Sequence, residues 1–149
     1  MKKMRCLTTM ESKTGGARWV PSLSMLLEDW PRLPPQGMTG KPLGRVGDTP
    51  LIGAGTWADQ RIAVSCTGIG EAFIRTAAAH QTAVLHREMK IEQAALAVLD
   101  EVEPFGGRGG MIAVDREGNV TLPFQTMLMY RGMYCDGSVR LGIGPELMD

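Results

Sequence analysis

The sequence predicts an α+β fold, preceded by an irregular N-terminal segment. Three observations support this prediction. An apolar strand pattern is followed, after residue 70, by a long stretch with helical spacing of apolar residues. A second such stretch ends near residue 102, and a hairpin pattern follows residue 110. A chain of 149 residues has the usual size of one domain. We therefore expect one α+β domain or part of one, and no second independent domain.

Residues 1–37 show no helical or strand period that lasts beyond one turn. Pro21, Pro31, Pro34 and Pro35 interrupt the apolar stretches, because proline fixes φ and lacks an amide donor. We expect this segment to be irregular or disordered.

The central part of the chain has the pattern of a strand, a turn and a helix. Residues 62–66 form an apolar run that is typical of a buried strand, and residues 67–70 form a glycine turn. Apolar residues then recur three and four positions apart for about five turns. This spacing predicts one helix over residues 71–87.

The last third of the chain predicts another helix and more strands. The second helix covers residues 91–102, because Pro104 ends its period. Residues 111–114 and 120–124 flank a turn that contains glycine, which predicts a β-hairpin. A last strand is predicted over residues 139–143.

The composition excludes several classes of protein. The formal net charge is zero and no basic run is interleaved with aromatic residues, so we expect no nucleic-acid partner. No apolar run is long enough to span a membrane, and the basic start lacks the apolar stretch of a signal peptide. Cys6, Cys66 and Cys135 lack metal-ligand or disulfide spacing. We expect a cytoplasmic protein with no cofactor and no metal.

Arg45 and Asp48 form the first candidate site. They lie three residues apart in a loop whose glycines, Gly44 and Gly47, would let a small molecule approach the backbone. A guanidinium can bind an α-carboxylate with two hydrogen bonds, and a carboxylate can accept from an α-ammonium group. The alternative interpretation is an exposed Arg45–Asp48 salt bridge that contributes little.

The glycine turn after the predicted strand forms the second candidate site. The hydroxyl of Thr67 and the amide of Gly68 could hold a developing oxyanion, and Gly70 would line the same site. The alternative is an ordinary turn in which Thr67 caps a helix. His80 and His86 are six residues apart on the predicted helix, so we interpret both as structural or surface residues. The stretch 127–129 is interpreted as core packing.

Several motifs recur in one order along residues 37–148. They are Gly37-Met38-Thr39-Gly40-Lys41, Gly44-Arg45-Val46-Gly47-Asp48-Thr49-Pro50-Leu51-Ile52-Gly53-Ala54-Gly55, Val64-Ser65-Cys66-Thr67-Gly68-Ile69-Gly70-Glu71, Gly106-Gly107-Arg108-Gly109-Gly110, and Phe124-Gln125-Thr126 with Met129-Tyr130-Arg131. In this order they closely resemble the isoaspartyl peptidase / plant-type L-asparaginase family of N-terminal-nucleophile hydrolases. Residues 38–149 resemble the β-subunit part.

The resemblance implies a precursor that cleaves itself ahead of a threonine, whose amine then acts as base while its hydroxyl attacks the substrate amide. It implies L-asparagine and β-aspartyl dipeptides as substrates. It assigns the substrate α-carboxylate to Arg45, the α-ammonium group to Asp48, and the oxyanion to Thr67 and Gly68. It also implies a four-layer αββα sandwich built with an α subunit, and a second αβ unit as partner.

This sequence departs from the family pattern at its start. The family's β subunit opens with Thr-Val-Gly-Ala-Val-Ala and reaches Ala-Thr-Ser-Thr-Gly-Gly before the methionine that matches Met38, and neither motif is present. Both motifs can be encoded by the codons of residues 17–25 and 30–36 in one shifted reading frame. Our hypothesis is that residues 1–36 are a frameshifted reading of a family gene. Gln125 also replaces the usual asparagine, so the inner wall of the site near residues 124–130 is expected to differ.

Three functions follow as alternatives. The chain is part of an amidohydrolase that is inactive alone because the nucleophile is missing, a non-catalytic amino-acid binder, or a non-functional fragment.

Overall fold

The computed structural model describes residues 4–10, 18–23, 43–135 and 138–145. The strands in these ranges are β1 (Met4–Met10), β2 (Arg18–Leu23), β3 (Thr56–Ala58), β4 (Ile62–Gly68), β5 (Gly109–Asp115), β6 (Val120–Thr121), β7 (Tyr130–Cys135) and β8 (Ser138–Gly142). The helices are α1 (Gly70–Thr76), α2 (Ala78–Leu85) and α3 (Ile91–Val102), and a 3-10 turn follows at Glu103–Phe105. None of the helices in the described part of the chain is long and apolar enough to cross a bilayer.

The described strands form two antiparallel sheets of four strands each. The first sheet has the order β3-β4-β5-β6, and the second has the order β2-β1-β7-β8. The α+β fold class is therefore confirmed.

The N-terminal strands correct one prediction. Residues 1–37 were expected to be irregular, but β1 pairs with β2 and also with β7, from Met4↔Cys135 to Thr9↔Tyr130. Pairing of this kind depends on backbone hydrogen bonds to a distant strand and needs no apolar period within the segment. The prediction is wrong for these two stretches, and the rest of residues 1–37 lies outside the described residues.

All three helices pack on one face of the first sheet. Alternate residues of β4 and β5 point into this core, and small residues of the helices let the layers approach closely. The core contains Ile62, Val64, Cys66, Ala72, Phe73, Ala78, Ala79, Ala83, Ile91, Ala95, Val98, Leu99, Val102, Met111 and Ala113.

The opposite face of the first sheet meets the second sheet. Ile112 and Val114 of β5 point to this side and pack with Leu122 and Met129. Strand β2 runs close to β4 and β5, which places the second sheet against the same face. The described residues thus form a helix layer and two sheets, while the expected four-layer sandwich stays a prediction.

The long helix predicted over residues 71–87 is interrupted at one residue. Ala77 has φ 47° and ψ 45°, so α1 ends there and α2 begins. This conformation costs an alanine roughly 1–2 kcal/mol. The amides of Ala79 and His80 instead donate to the carbonyls of Ala54 and Gly53, at 3.0 and 2.9 Å. Such tertiary hydrogen bonds cannot be read from an apolar period.

Other predicted elements are confirmed. Helix α3 covers Ile91–Val102 as the spacing predicts, and β5 and β6 form the predicted hairpin. The predicted strands near residues 62–66 and 139–143 correspond to β4 and β8. Strands β3 and β7 were not predicted.

Asp59 holds the turn between β3 and β4. Its Oδ1 accepts hydrogen bonds from the amides of Arg61 and Ile62, at 2.8 and 3.1 Å. Burial by itself would raise the pKa of the Asp59 carboxyl, but these hydrogen bonds outweigh it and the pKa is lowered from 3.8. The carboxylate therefore stabilises the folded turn.

We expect Asp59→Ala to lower the free energy of unfolding by about 1 kcal/mol at neutral pH, because two amides lose their acceptor. Since the folded-state pKa is depressed, this stabilisation is present above 3.8 and is lost as pH falls through the lower folded-state value. Urea unfolding at several pH values measures it, with Glu101→Ala on the exposed face of α3 as the control. A difference of equal size at about pH 2 would show that the charge is not responsible.

Candidate active site

The loop that carries Asp48 is tied to the first sheet by its backbone. The carbonyl of Asp48 accepts hydrogen bonds from the amides of Leu51 and Gly55, at 3.0 and 3.1 Å. The carbonyl of Gly55 in turn accepts from the amide of Cys66 on β4, at 2.8 Å. Asp48 is thereby fixed beside the end of β4 that leads into α1.

The carboxyl group of Asp48 lies in a cradle of two glycines. A Cβ added to Gly55 would lie 2.6 Å from Asp48 Oδ2, and one added to Gly70 would lie 2.6 Å from Oδ1. Any side chain at these two positions would collide with the carboxyl group. Asp48 is only 7% exposed, and its Oδ2 has no hydrogen-bond partner.

The environment of Asp48 disfavours its negative charge. Burial raises the pKa of the Asp48 carboxyl, hydrogen bonds from the amides of Asp48 and Thr49 partly offset this, the charge of Glu71 raises it further, and the charge of Arg45 lowers it somewhat without reversing the rise. Burial also raises the pKa of the Cys66 thiol, with a contribution from the charge of Asp48. A cationic group placed at Oδ2 would reverse the effect on Asp48.

The Arg45 side chain reaches the first turn of α1 from the preceding loop and pairs with Glu71 there. Its Nη2 is 2.7 Å from Glu71 Oε1, and the two side chains are 27% and 58% exposed. The alternative interpretation of Arg45 and Asp48 as an exposed salt bridge is therefore not supported, because Asp48 is buried and Arg45 has another partner. Glu71 thus occupies one terminal nitrogen of the guanidinium, Nη2.

Thr67 and Gly68 are the last two residues of β4 and lie three and two positions before Gly70 of the Asp48 cradle. Gly68 has φ +145°, which side chains rarely adopt, and it pairs with Gly109. A Cβ on Gly68 would lie 2.6 Å from the carbonyl oxygen of Arg108 and 3.0 Å from the ring of Phe73. The turn therefore requires glycine at this position.

The structure brings the five predicted site residues to one end of the first sheet. Arg45, Asp48 and Gly70 meet at the first turn of α1, and Thr67 and Gly68 directly precede it. This arrangement places a cation, a buried carboxyl group and a glycine turn around one point. Such a set can bind a small amino acid by both of its charged groups.

Two contributors were not predicted as site residues. Glu71, which binds Arg45, was the last residue of the quoted Val64–Glu71 motif and had no assigned role. Gly55, which makes room for Asp48, lay within a quoted motif without an assigned role. In both cases the sequence shows the residue but not its spatial partner.

His80 and residues 127–129 were interpreted as structural residues. His80 packs edge-on against Trp57, with ring centroids 4.6 Å apart. Met129 is buried as expected. Met127 is 81% exposed and Leu128 is 48% exposed, so the prediction of core packing is wrong for these two residues. The described residues contain no group of three potential metal ligands.

Gln125 occupies the position where the resemblance leads us to expect asparagine. Its amide donates to the carbonyl of Gly109, at 2.8 Å, which extends the pairing of the hairpin. Its side-chain Nε2 lies 3.5 Å from Oδ1 of Asp100 on α3, and its buried Oε1 has no partner. An altered wall at residues 124–130 stays a prediction.

Comparison with known proteins gives a consistent result. The model of the Asparaginase family matches residues 35–142. The chain is 50% identical over 118 residues to an isoaspartyl peptidase of Escherichia coli, which covers 76% of this chain and 37% of that protein. It is 50% identical over 98 residues to a putative isoaspartyl peptidase/L-asparaginase of Dictyostelium discoideum, with 64% and 28% covered.

A third relative comes from an archaeon. The chain is 39% identical over 104 residues to a plant-type L-asparaginase of Pyrococcus horikoshii, which covers 68% of this chain and 34% of that protein. The chain thus spans about a third of the length of the curated relatives that it matches.

Proposed function

Because the chain belongs to the Asparaginase family, we propose that it carries the substrate-holding part of an isoaspartyl peptidase / L-asparaginase site. In this proposal the site binds the aspartyl part of L-asparagine and of β-aspartyl dipeptides. The ligand is a small molecule, and hydrolysis of its side-chain amide needs groups beyond those in the described residues.

The buried, unpartnered Oδ2 of Asp48 carries this proposal. A buried carboxylate without a partner is costly, and a ligand ammonium group would supply both a hydrogen-bond donor and the opposite charge. Arg45 lies on the same turn, where its second terminal nitrogen can bind the ligand α-carboxylate. These two contacts would leave the ligand side chain directed at Thr67 and Gly68.

Thr67 and Gly68 take the reacting carbonyl in this proposal. Attack on the amide carbon would place negative charge on the carbonyl oxygen, which the Thr67 hydroxyl and the Gly68 amide would stabilise as donors. The attacking group would be a threonine hydroxyl with its own amine as base, released by self-cleavage of a precursor. We propose that this chain does not supply that threonine and is inactive alone.

The assembly in this proposal follows the family resemblance. An α subunit would complete the four-layer sandwich, and a second αβ unit would associate with it. The exposed side chains of β8, including Val139 and Leu141, are consistent with a further layer.

Calorimetry with three ligands tests the substrate-holding role. L-aspartate offers both charged groups, succinate lacks the ammonium group, and β-alanine lacks the α-carboxylate. We expect L-aspartate to bind more tightly than either analogue, and Arg45→Gln to remove its advantage over β-alanine. Arg61→Gln, which alters an exposed pair with Asp59, is the control variant.

The outcomes distinguish a chain that turns over substrate, a chain that only binds L-aspartate, and a non-functional fragment. Binding of L-aspartate without release of ammonia from L-asparagine supports the proposal and is also what a non-catalytic amino-acid binder would show. Turnover by this chain alone would overturn the proposed inactivity. If a chain that circular dichroism shows to be folded binds no ligand, the remaining alternative is a non-functional fragment.

The nucleotide sequence tests the origin of the N-terminal segment. If residues 1–36 are a frameshifted reading, the codons of residues 17–25 must encode Thr-Val-Gly-Ala-Val-Ala in the shifted frame. Codons that cannot encode this motif would contradict the frameshift, and restoring the frame would then not restore activity.

A further inference from the structure

Arg108 is the one side chain within the run of residues 106–110, and its backbone abuts the Thr67–Gly68 turn. The amide of Ile69 lies 3.4 Å from the carbonyl oxygen of Arg108, and a Cβ on Gly68 would lie 2.6 Å from the same oxygen. Strands β4 and β5 end together here, with Gly68 opposite Gly109. Arg108 directly precedes β5 and is therefore the neighbour of the turn at this end of the sheet.

The neighbouring glycines indicate which face the Arg108 side chain occupies. A Cβ on Gly107 would meet Ala72 of α1 and Val102 of α3, and a Cβ on Gly109 would press on the β4 backbone and meet Phe73 of α1, so both point to the helix side of the sheet. A Cβ on Gly110 would instead meet Phe124 and Met129, on the opposite face of the sheet. Because side chains alternate along an extended chain, Arg108 is on the face of Gly110.

Thr67 is on this same face. Ile62, Val64 and Cys66 of β4 point into the core beneath the helices, so the alternate residues of β4 point the other way. The alternation therefore starts the side chains of Arg108 and Thr67 on one side of the sheet, at the end where the site lies.

The charge of Arg108 is uncommitted within the described part of the chain. Arg108 is exposed, and the ion pairs found among the described residues do not include it. Arg45, by contrast, pairs with Glu71 and lies beside the Asp48 cradle. The site thus has a second cation next to the turn that would hold the reacting carbonyl.

Leaving groups of the two substrate classes differ in charge. L-asparagine would release ammonia, whereas a β-aspartyl dipeptide would release an amino acid that carries a carboxylate. By standard bond lengths and angles this carboxylate carbon lies roughly 3–4 Å from the reacting carbonyl carbon. With that carbonyl at Thr67 and Gly68, the carboxylate would fall alongside Arg108.

We propose that Arg108 is a specificity-determining residue that binds the carboxylate of the leaving amino acid and so favours β-aspartyl dipeptides. This inference rests on the proposed function, because it requires the aspartyl part of the ligand to occupy Arg45 and Asp48. A guanidinium suits this task, since it binds carboxylates with two parallel hydrogen bonds.

Calorimetry on the full chain tests the proposal with L-aspartate, β-aspartylglycine and β-aspartylglycinamide. The last two ligands differ only in the carboxylate that Arg108 would bind. We expect β-aspartylglycine to bind about fivefold more tightly than its amide, as for an exposed ion pair. Arg108→Gln should abolish this ratio, Arg108→Lys should keep part of it, and the affinity for L-aspartate should not change.

Arg116→Gln is the matched control. Arg116 is an exposed arginine at the opposite end of β5, 3.2 Å from Glu117, and its removal should leave the ratio intact. If the parent chain binds L-aspartate but the ratio is near one, or survives in Arg108→Gln, the role of Arg108 is overturned and the proposed function stands. If the folded parent binds none of the three ligands, both proposals fall.

Discussion

Asp48→Asn is expected to weaken the binding of L-aspartate roughly 100-fold and to leave the binding of succinate unchanged or tighter. The variant keeps the size of the side chain but removes the negative charge that faces the ligand ammonium group. Succinate has no such group, so it gains nothing from that charge. Calorimetry of both ligands with the parent and the variant measures the effect.

The same substitution has an expected effect on stability. Because burial raises the folded-state pKa of Asp48, the parent loses stability as pH rises from the ordinary value of 3.8 through the raised one. Asp48→Asn lacks this loss, so its free energy of unfolding at pH 7 should be no lower than that of the parent. Urea unfolding at pH 3 and at pH 7 compares the two.

Asp115→Asn is the matched control for this comparison. Asp115 is also buried, but its oxygens accept from the amide and the side chain of Asn119, at 2.8 and 2.7 Å. Its replacement should cost about 1 kcal/mol of stability and leave ligand binding unchanged. If Asp48→Asn instead costs as much stability as Asp115→Asn and retains L-aspartate, then Asp48 serves the loop and not a ligand.

Gly109→Ala is expected to lower the free energy of unfolding by about 3 kcal/mol. The new methyl group would press on the carbonyl oxygen of Thr67 and lie 2.9 Å from both Gly68 Cα and the ring of Phe73. Two of these neighbours are backbone atoms of the paired strand β4, so relief requires the strands to separate. The strands would part at the turn that we assign to the reacting carbonyl.

Gly144→Ala is the control for this prediction, because a Cβ there has no atom within 4 Å. Urea unfolding should place the midpoint of Gly144→Ala near that of the parent and the midpoint of Gly109→Ala well below it. If the two variants unfold alike, the close approach of β4 and β5 at the site is not present in solution.

The sequence predicts the elements whose signals are local. Helix α3 has an uninterrupted apolar face and a proline beyond its end, and the hairpin of β5 and β6 has a glycine turn. The break at Ala77 has no local signal, because it depends on hydrogen bonds between α2 and the Gly53–Ala54 carbonyls. The second sheet likewise depends on pairing between β1 and β7, which are far apart in the chain.

The same distinction holds for the site. Chemistry and spacing made Arg45 and Asp48 candidates for binding an α-carboxylate and an α-ammonium group, the family resemblance assigned them these roles, and the structure brings them to one turn. That Asp48 is buried between Gly55 and Gly70, and that Arg45 pairs with Glu71, depends on tertiary packing. Residue types therefore predict the ligand groups, while the protonation and partners of the side chains come from the fold.

A crystal structure of the chain with L-aspartate would show whether Asp48 and Arg45 hold the two charged groups of the ligand. We expect the ligand ammonium group within hydrogen-bond distance of Asp48 Oδ2, the α-carboxylate on Arg45, and the side-chain carboxylate at Thr67 and Gly68. L-aspartate bound elsewhere, or bound with Asp48 Oδ2 still unpartnered, would contradict this expectation.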